Sequence, residues 1–443
     1  MIKINKKQVI YTLYCIFLFI LYSCFQNVTY SILFAAAFIP VAVVIVFNSV
    51  AQKNWLFLCF FGLSAELYYV MVLCVCIIKA PETSWRFLYD RADLNSVSLR
   101  LIMMSLLILS IIYFIILYRK NARNDVSDIK FLLVTTLLKR YIFMSVYALV
   151  ILYYLPVAFS SGARDYNAAV NVLTLSLFRV CCLLSWILLL NAEGRQRLLL
   201  LLESLIGVVI VALLAAKGYR FILVENVVAI LILNITKLKC ISKKTLISVF
   251  VIIAVFYMIM IFFKMYLTDL DFTSVLFSHE KSLFYSLNAV IANIGDGHEW
   301  TYLSTLKNIL PKSWTGSNDL NTASQIMKYI NYDVYFQIIA NKTGVNAGGY
   351  YLTEAYVNFH TFGICFMTAF FGIIFSLMER IMIKYDFKSA MFQALYYGLT
   401  TQMFSIVYYG SSNYFKFLVY YLIFSFIIFK RFKITGGKKY VVQ

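Results

Sequence analysis

Leu198 to Thr236 reads LLLLLESLIGVVIVALLAAKGYRFILVENVVAILILNIT. The first run, 198–215, is apolar except for Glu203 and Ser204. As an α-helix it extends about 27 Å, close to the hydrocarbon thickness of a bilayer. A turn of a few residues, Ala215-Ala216-Lys217-Gly218-Tyr219-Arg220-Phe221, follows, and a second apolar run fills 220–236. Two such runs joined so tightly predict a pair of adjacent membrane-crossing helices.

The same reading extends in both directions. Runs of comparable length lie near 9–25, 28–47, 55–78, 97–118, 141–159 and 172–190, and again near 245–263, 359–378, 389–408 and 414–429. With the opening pair, they predict an all-α polytopic membrane protein of about twelve transmembrane helices. Composition agrees. Of 443 residues, 62% are hydrophobic and 13% charged, against about 25% charged in soluble domains. Mean hydropathy is +0.82. The start, MIKINKK before an apolar run, has the form of a signal peptide, but no small-residue cleavage site follows, so the segment reads as an uncleaved first helix.

The net charge of +19 does not indicate nucleic acid, because Lys and Arg sit between apolar runs and form no basic face. With both termini inside, inward segments hold 24 of the 39 basic residues. Short outward segments hold eight, Arg100, Arg164, Lys217 and Arg220 among them. This bias follows the positive-inside rule and sets the orientation. Residues 1–443 then form one integral membrane domain, and 264–358, between the ninth and tenth helices, is an outward loop subdomain. That loop is rich in aromatics and slightly acidic. Its periodic stretches 272–294 and 323–339 predict short helices lying on the membrane. Eight of the nine cysteines lie inside apolar runs and no CxxC pair occurs, so neither a disulfide framework nor a zinc site is expected.

Several charged groups run against the topology rule or lie inside spans. Lys217 and Arg220 flank a tight outward turn, where they meet lipid phosphates or snorkel among headgroups. Arg164, in Ser160-Ser161-Gly162-Ala163-Arg164-Asp165-Tyr166, either joins them around an anion or solvates a loop with Asp165. Arg179 lies within the sixth helix and needs a partner: an acid such as Glu225 or Glu66, or a substrate. The three histidines, His279, His298 and His360, all fall on the outward side. His298, beside Asp296 and Glu299, and His360, near Glu354, are candidate bases for a hydroxyl. Trp300, Tyr350, Tyr351 and Tyr356 offer flat rings and polar edges suited to sugars, or an interfacial aromatic belt. Gly348 and Gly349 allow close turning before the tenth helix.

Lys217-Gly218-Tyr219-Arg220 at the outer end of a helix, with Glu354, Ala355, Tyr356, Asn358, Phe359 and Gly363 leading into another, resembles the Wzy-type O-antigen polymerases. The resemblance also covers the layout: about twelve helices, inward termini and a large late outer loop. It implies a GT-C-like inverting glycosyltransferase of the bacterial inner membrane. Such an enzyme transfers a growing glycan from undecaprenyl pyrophosphate to the non-reducing end of a new lipid-linked repeat unit at the periplasmic face. On that reading Arg164, Lys217, Arg220 and Arg179 hold the pyrophosphate, while His298, Glu354 or His360 activates the acceptor. Trp300, Tyr350, Tyr351 and Tyr356 contact sugars. No metal or other cofactor is implied, and a chain-length regulator protein is the expected partner. The first outer loop, 26–29, lacks the acidic pair of oligosaccharyltransferases. A lipid-linked oligosaccharide flippase or other transporter, and an O-antigen ligase, are the rival readings. A membrane acyltransferase fits less well, since no early histidine stands with an acid.

Overall fold

A computed structural model describes residues 6–24, 30–78, 92–118, 136–159, 172–190, 192, 194–216, 220–237, 278–295, 297, 300–307, 350–384, 390–409, 411–428, 432–433 and 441–442, with isolated positions at 329 and between 251 and 265. Nearly all of them are helical. In chain order the helices are α1 (Lys6–Cys24), α2 (Tyr30–Gln52), α3 (Trp55–Val72, continued by a π-helical turn Leu73–Ile78), α4 (Ala92–Ile116), α5 (Leu137–Phe159), α6 (Val172–Leu190) and α7 (Gly194–Ala216). There follow α8 (Arg220–Lys237), α9 (Ser278–Asn293), α10 (Thr301–Lys307), α11 (Tyr351–Lys384), α12 (Ala390–Thr401), α13 (Met403–Tyr409) and α14 (Ser411–Ile428). A two-residue strand, Phe432–Lys433, pairs antiparallel with Val441–Val442.

Among the described residues, seven helices are long and apolar enough to cross a membrane, in α1–α5, α7 and α11. The chain is therefore an all-α polytopic membrane protein. Helices stand at eleven of the twelve positions the hydropathy marks; 245–263 lies largely outside the described residues, as does 323–339. Several marked runs make helices shorter or more charged than a full span. In α6, Arg179 sits near the middle, and the apolar part of α14 begins only at Phe417.

The chain packs as two compact units. One comprises 1–126, 251–381 and 405–413. Here α1 packs on α4 and α2, and α9 packs on α3 and α4. Residues 283–290 of α9 are buried, so this helix belongs to the bundle rather than lying apart on a membrane surface. Its Asn288 donates to Asn95 Oδ1 at 2.6 Å and accepts from Ser98, both on α4. Such polar ties across an apolar core set register, because each unmade bond leaves a buried group without a partner. Glu379, 1% exposed, accepts from the backbone N–H groups of Leu56 (2.6 Å) and Phe57 (3.2 Å). A carboxylate at that helix start satisfies donors that have no intrahelical acceptor and complements the helix dipole.

The other unit comprises 127–250, 382–404 and 414–443. Its core joins α5–α8 with residues of α12 and α14, around Tyr147, Phe178, Cys181, Cys182, Leu214, Tyr397, Phe417 and Tyr421. Cys181 and Cys182 are buried packing groups here and form no disulfide.

Candidate functional site

The segment Tyr350 to Gly363 departs furthest from regular helix. Phe359 has φ −147°, ψ 20°, and His360 has φ 54°, ψ −146°. A Cβ already strains that second conformation, which glycine alone adopts readily. The chain reverses there. A straight helix would hold Tyr351 and Phe371 about 30 Å apart, yet their ring centroids are 6.4 Å apart. Phe60 of α3 touches both, at 5.2 and 5.8 Å. Tyr351–Asn358 is thus a half-helix folded back along the first turns of the crossing helix, which runs 361–384. Gly363 permits the reversal: a Cβ there would lie 2.1 Å from the Ala355 carbonyl oxygen. The crossing portion within the apolar limit, 361–381, is still about 31 Å long.

The folded-back half-helix carries a knot of polar groups. Glu354, 1% exposed, accepts from Thr301 Oγ1 (3.2 Å), from the Ser411 backbone N–H (2.7 Å) and from the Ser411 hydroxyl. Asn358 Nδ2 donates to Thr301 Oγ1 (2.6 Å) and to the Glu354 carbonyl (2.7 Å). Thr305 and Ser411 share a hydrogen bond of 2.8 Å. Nearby, Tyr408 donates to Glu66. Residues 405–413 therefore hold two carboxylates, one through Tyr408 and one through Ser411. Asn358 Oδ1 and the Tyr350 hydroxyl are buried with no hydrogen-bond partner among the described residues. Buried polar atoms left so are few in folded proteins and mark places where a ligand or water completes the set.

The aromatic candidates divide by exposure. Tyr350 and Tyr351 are buried and pack edge to face on each other at 5.1 Å, so their rings serve the core. Trp300 is 52% exposed and meets Phe359 edge-on at 5.7 Å. Tyr356 is half-buried and lies edge-on to the half-buried His360 ring at 5.4 Å. The rim of the reversal thus consists of two ring contacts, Trp300 with Phe359 and Tyr356 with His360.

Arg179 has a different setting, in the second unit. It is 4% exposed; its Nε donates to Glu225 Oε2 at 3.0 Å and its Nη2 to Glu225 Oε1 at 2.5 Å. Nη2 also donates to Gln402 Oε1 at 2.7 Å, and the guanidinium lies 4.5 Å from the centre of the Phe417 ring. Of the partners open to it in the sequence, Glu225 is the one it meets, and Glu66 is engaged by Tyr408 instead. Arg220 opens α8; Arg164, Lys217 and His298 lie outside the described residues. Among the described residues no group of His, Cys, Asp and Glu is arranged to hold a metal ion.

Sequence reading passed over Thr301, Thr305 and Ser411. Each is a small hydroxyl residue at or near a helix start, and only the reversal, which hydropathy does not encode, brings them to Glu354. Glu379 was hidden for a similar reason: its partners are backbone N–H groups more than 300 positions away. No family model, curated protein or solved structure matches this chain.

Proposed function

We propose that this protein is an inverting membrane glycosyltransferase of the O-antigen polymerase type, acting at the outer face of the bacterial inner membrane with both termini cytoplasmic. The observation that carries the reading is the rim at the helix reversal. There a strained, half-buried histidine meets Tyr356 edge-on, its neighbour Phe359 meets the exposed Trp300, and the half-helix leading to it carries the buried, hydrogen-bonded Glu354. Strained backbone and incompletely paired buried polar atoms concentrate at functional sites.

In this mechanism His360 is the general base. As the acceptor hydroxyl oxygen attacks the anomeric carbon of the donor sugar, its proton passes to an imidazole nitrogen. The bond from that carbon to the diphosphate oxygen breaks, and undecaprenyl pyrophosphate leaves with the electron pair. A positioned base of this kind contributes about 10²–10⁴ in rate. Glu354 does not reach substrate; it is a positioning residue that fixes the reversal through Ser411 and Thr301. Trp300 and Tyr356 offer ring faces to the sugars, and His298 is the second candidate base. On the resemblance, Lys217 and Arg220, with Arg164, all within 127–250, are the residues expected to hold a diphosphate. Arg179 is assigned to the ion pair with Glu225. The chain-length regulator remains the expected protein partner.

The test is the surface-polysaccharide ladder of a deletion strain. Lipid A core capped by a single repeat unit is the expected result. A strain with no surface repeat at all overturns the reading in favour of a flippase or ligase. His360→Gln expressed at normal level should reproduce the deletion pattern.

A further inference from the structure

Two helices of the second unit, α5 and α7, begin side by side, and each begins with a pair of cations. α5 opens Leu137-Leu138-Lys139-Arg140, and α7 opens Gly194-Arg195-Gln196-Arg197. The two helices pack along each other, with Gly207 of α7 against the Tyr147 hydroxyl of α5. At their starts Arg140 Nη1 donates to Gln196 Oε1 at 3.4 Å. Successive residues on a helix project about 100° apart, so Arg195 and Arg197 stand on either side of that contact. Both are exposed, while Lys139 and Arg140 are half-buried. Lys139 Nζ also donates to the Ile427 carbonyl at 2.5 Å, in the last turn of α14.

Helix stability does not explain cations in these places. The first turn of a helix carries partial positive charge, which favours anions and opposes Lys and Arg. Glu193, which precedes α7, lies outside the described residues; counting it, the two starts bring together four cations against one acid. An anion shared between them relieves that repulsion, and guanidinium forks match phosphate oxygens. The neighbouring side chains indicate which kind of anion. On α5, Leu138 and Ile142 are exposed beside Lys139 and Arg140. On α7, Leu198, Leu202, Leu205 and Val209 form an exposed stripe that begins one turn after Arg195. A soluble phosphate gains nothing from such a surface. A phospholipid matches both parts, headgroup on the cations and acyl chains on the leucines.

We infer that the joint start of α5 and α7 is a binding site for one anionic phospholipid. Its phosphate lies among Arg140, Arg195 and Arg197, and its acyl chains cover the apolar stripes that descend from them. Charge bias predicts that this end faces the cytoplasm, so the lipid comes from the inner leaflet. The site lies within one unit and is independent of the proposed transferase activity.

Native mass spectrometry on the full-length protein, with phosphatidylglycerol, phosphatidylcholine and glycerol 3-phosphate as probes, tests this. Wild type should retain one phosphatidylglycerol and bind phosphatidylcholine at least tenfold more weakly. Arg195→Gln combined with Arg197→Gln should weaken phosphatidylglycerol binding at least tenfold. Both side chains are exposed, so the fold should survive. Arg195→Lys combined with Arg197→Lys, which keeps the charge and checks folding, should hold the lipid. Lys6→Gln combined with Lys7→Gln removes the cation pair at the start of α1 and should leave binding unchanged. Added phosphatidylglycerol should accordingly raise the unfolding temperature of wild type and of the α1 variant, but not of the α7 glutamine variant. Equal retention by wild type and the α7 glutamine variant overturns the site. Equal binding of phosphatidylcholine does so too, because acyl chains alone would then hold the lipid. An equal loss in the α1 variant would reduce the effect to diffuse positive charge and refute a local site. Displacement of the lipid by glycerol 3-phosphate at equal concentration would make the ligand a soluble anion and refute a lipid site.

Discussion

At His360 two demands on one residue conflict, and the conflict is measurable. Its backbone, φ 54° and ψ −146°, suits glycine, whereas the proposed chemistry needs an imidazole. Replacing it by glycine relieves strain on the order of 1–3 kcal/mol. His360→Gly is therefore expected to raise the midpoint of thermal unfolding in detergent while abolishing polymer formation; His360→Ala, which keeps the strain, should lose activity without gaining stability. An active His360→Gly enzyme would remove the residue from catalysis. Gly363 presents the reverse case. Any Cβ there meets the Ala355 carbonyl oxygen at 2.1 Å, a backbone atom that cannot swing aside. Gly363→Ala should lower stability by about 1–3 kcal/mol, the range for overpacking a close contact. It should also reduce activity without touching substrate, because the reversal that carries His360 must open. Unchanged unfolding in Gly363→Ala would mean that the half-helix does not fold back as described.

Among the elements, α6 and α8 are joined by the bidentate pair of Arg179 with Glu225, and Gln402 and Phe417 cover the guanidinium. Removing one member of a buried pair strands the other charge and typically costs about 3–5 kcal/mol, whereas replacing both by apolar groups of similar volume is often neutral. Arg179→Met and Glu225→Leu alone should each unfold the protein at markedly lower temperature, and the double variant should recover most of the loss. Activity then discriminates between roles. A stable double variant that still makes polymer confirms a purely architectural pair; a stable but inactive one returns Arg179 to the diphosphate. The existence of these helices was legible from apolar runs alone, and so was the need of Arg179 for an acid. The folding back of α11 was not. Thr353, Glu354 and Asn358 make 351–358 look like loop leading into a span that starts at 359, because hydropathy scores each residue as if lipid or water surrounded it. In the fold Glu354 and the Asn358 amide nitrogen find partners in Thr301 and Ser411, which lowers the cost of bringing a polar segment into the bundle.

For the whole molecule, the quantity that orders everything else is the sidedness of the chain. By the positive-inside rule the charge bias predicts 264–358 and the turns at 164 and 217–220 on one face, and 119–140, 237–244 and 380–388 on the other. That inference needs no helix boundary to be right within a residue or two, since it counts charges in connections between spans. Apolar length is less decisive: α6 and the apolar part of α14 are short for a full crossing, so composition alone leaves the number of crossings open. Single cysteines introduced into a cysteine-free background at 164, 218 and 318 should react with a membrane-impermeant maleimide in intact spheroplasts, and those at 123, 240 and 384 only after permeabilisation. Reaction of the first set only after permeabilisation would invert the protein, place Lys217 and Arg220 among cytoplasmic phosphates and remove the basis for a periplasmic transferase. A mixed pattern, with 164 and 218 on opposite faces, would instead show that one of the short helices between them fails to cross.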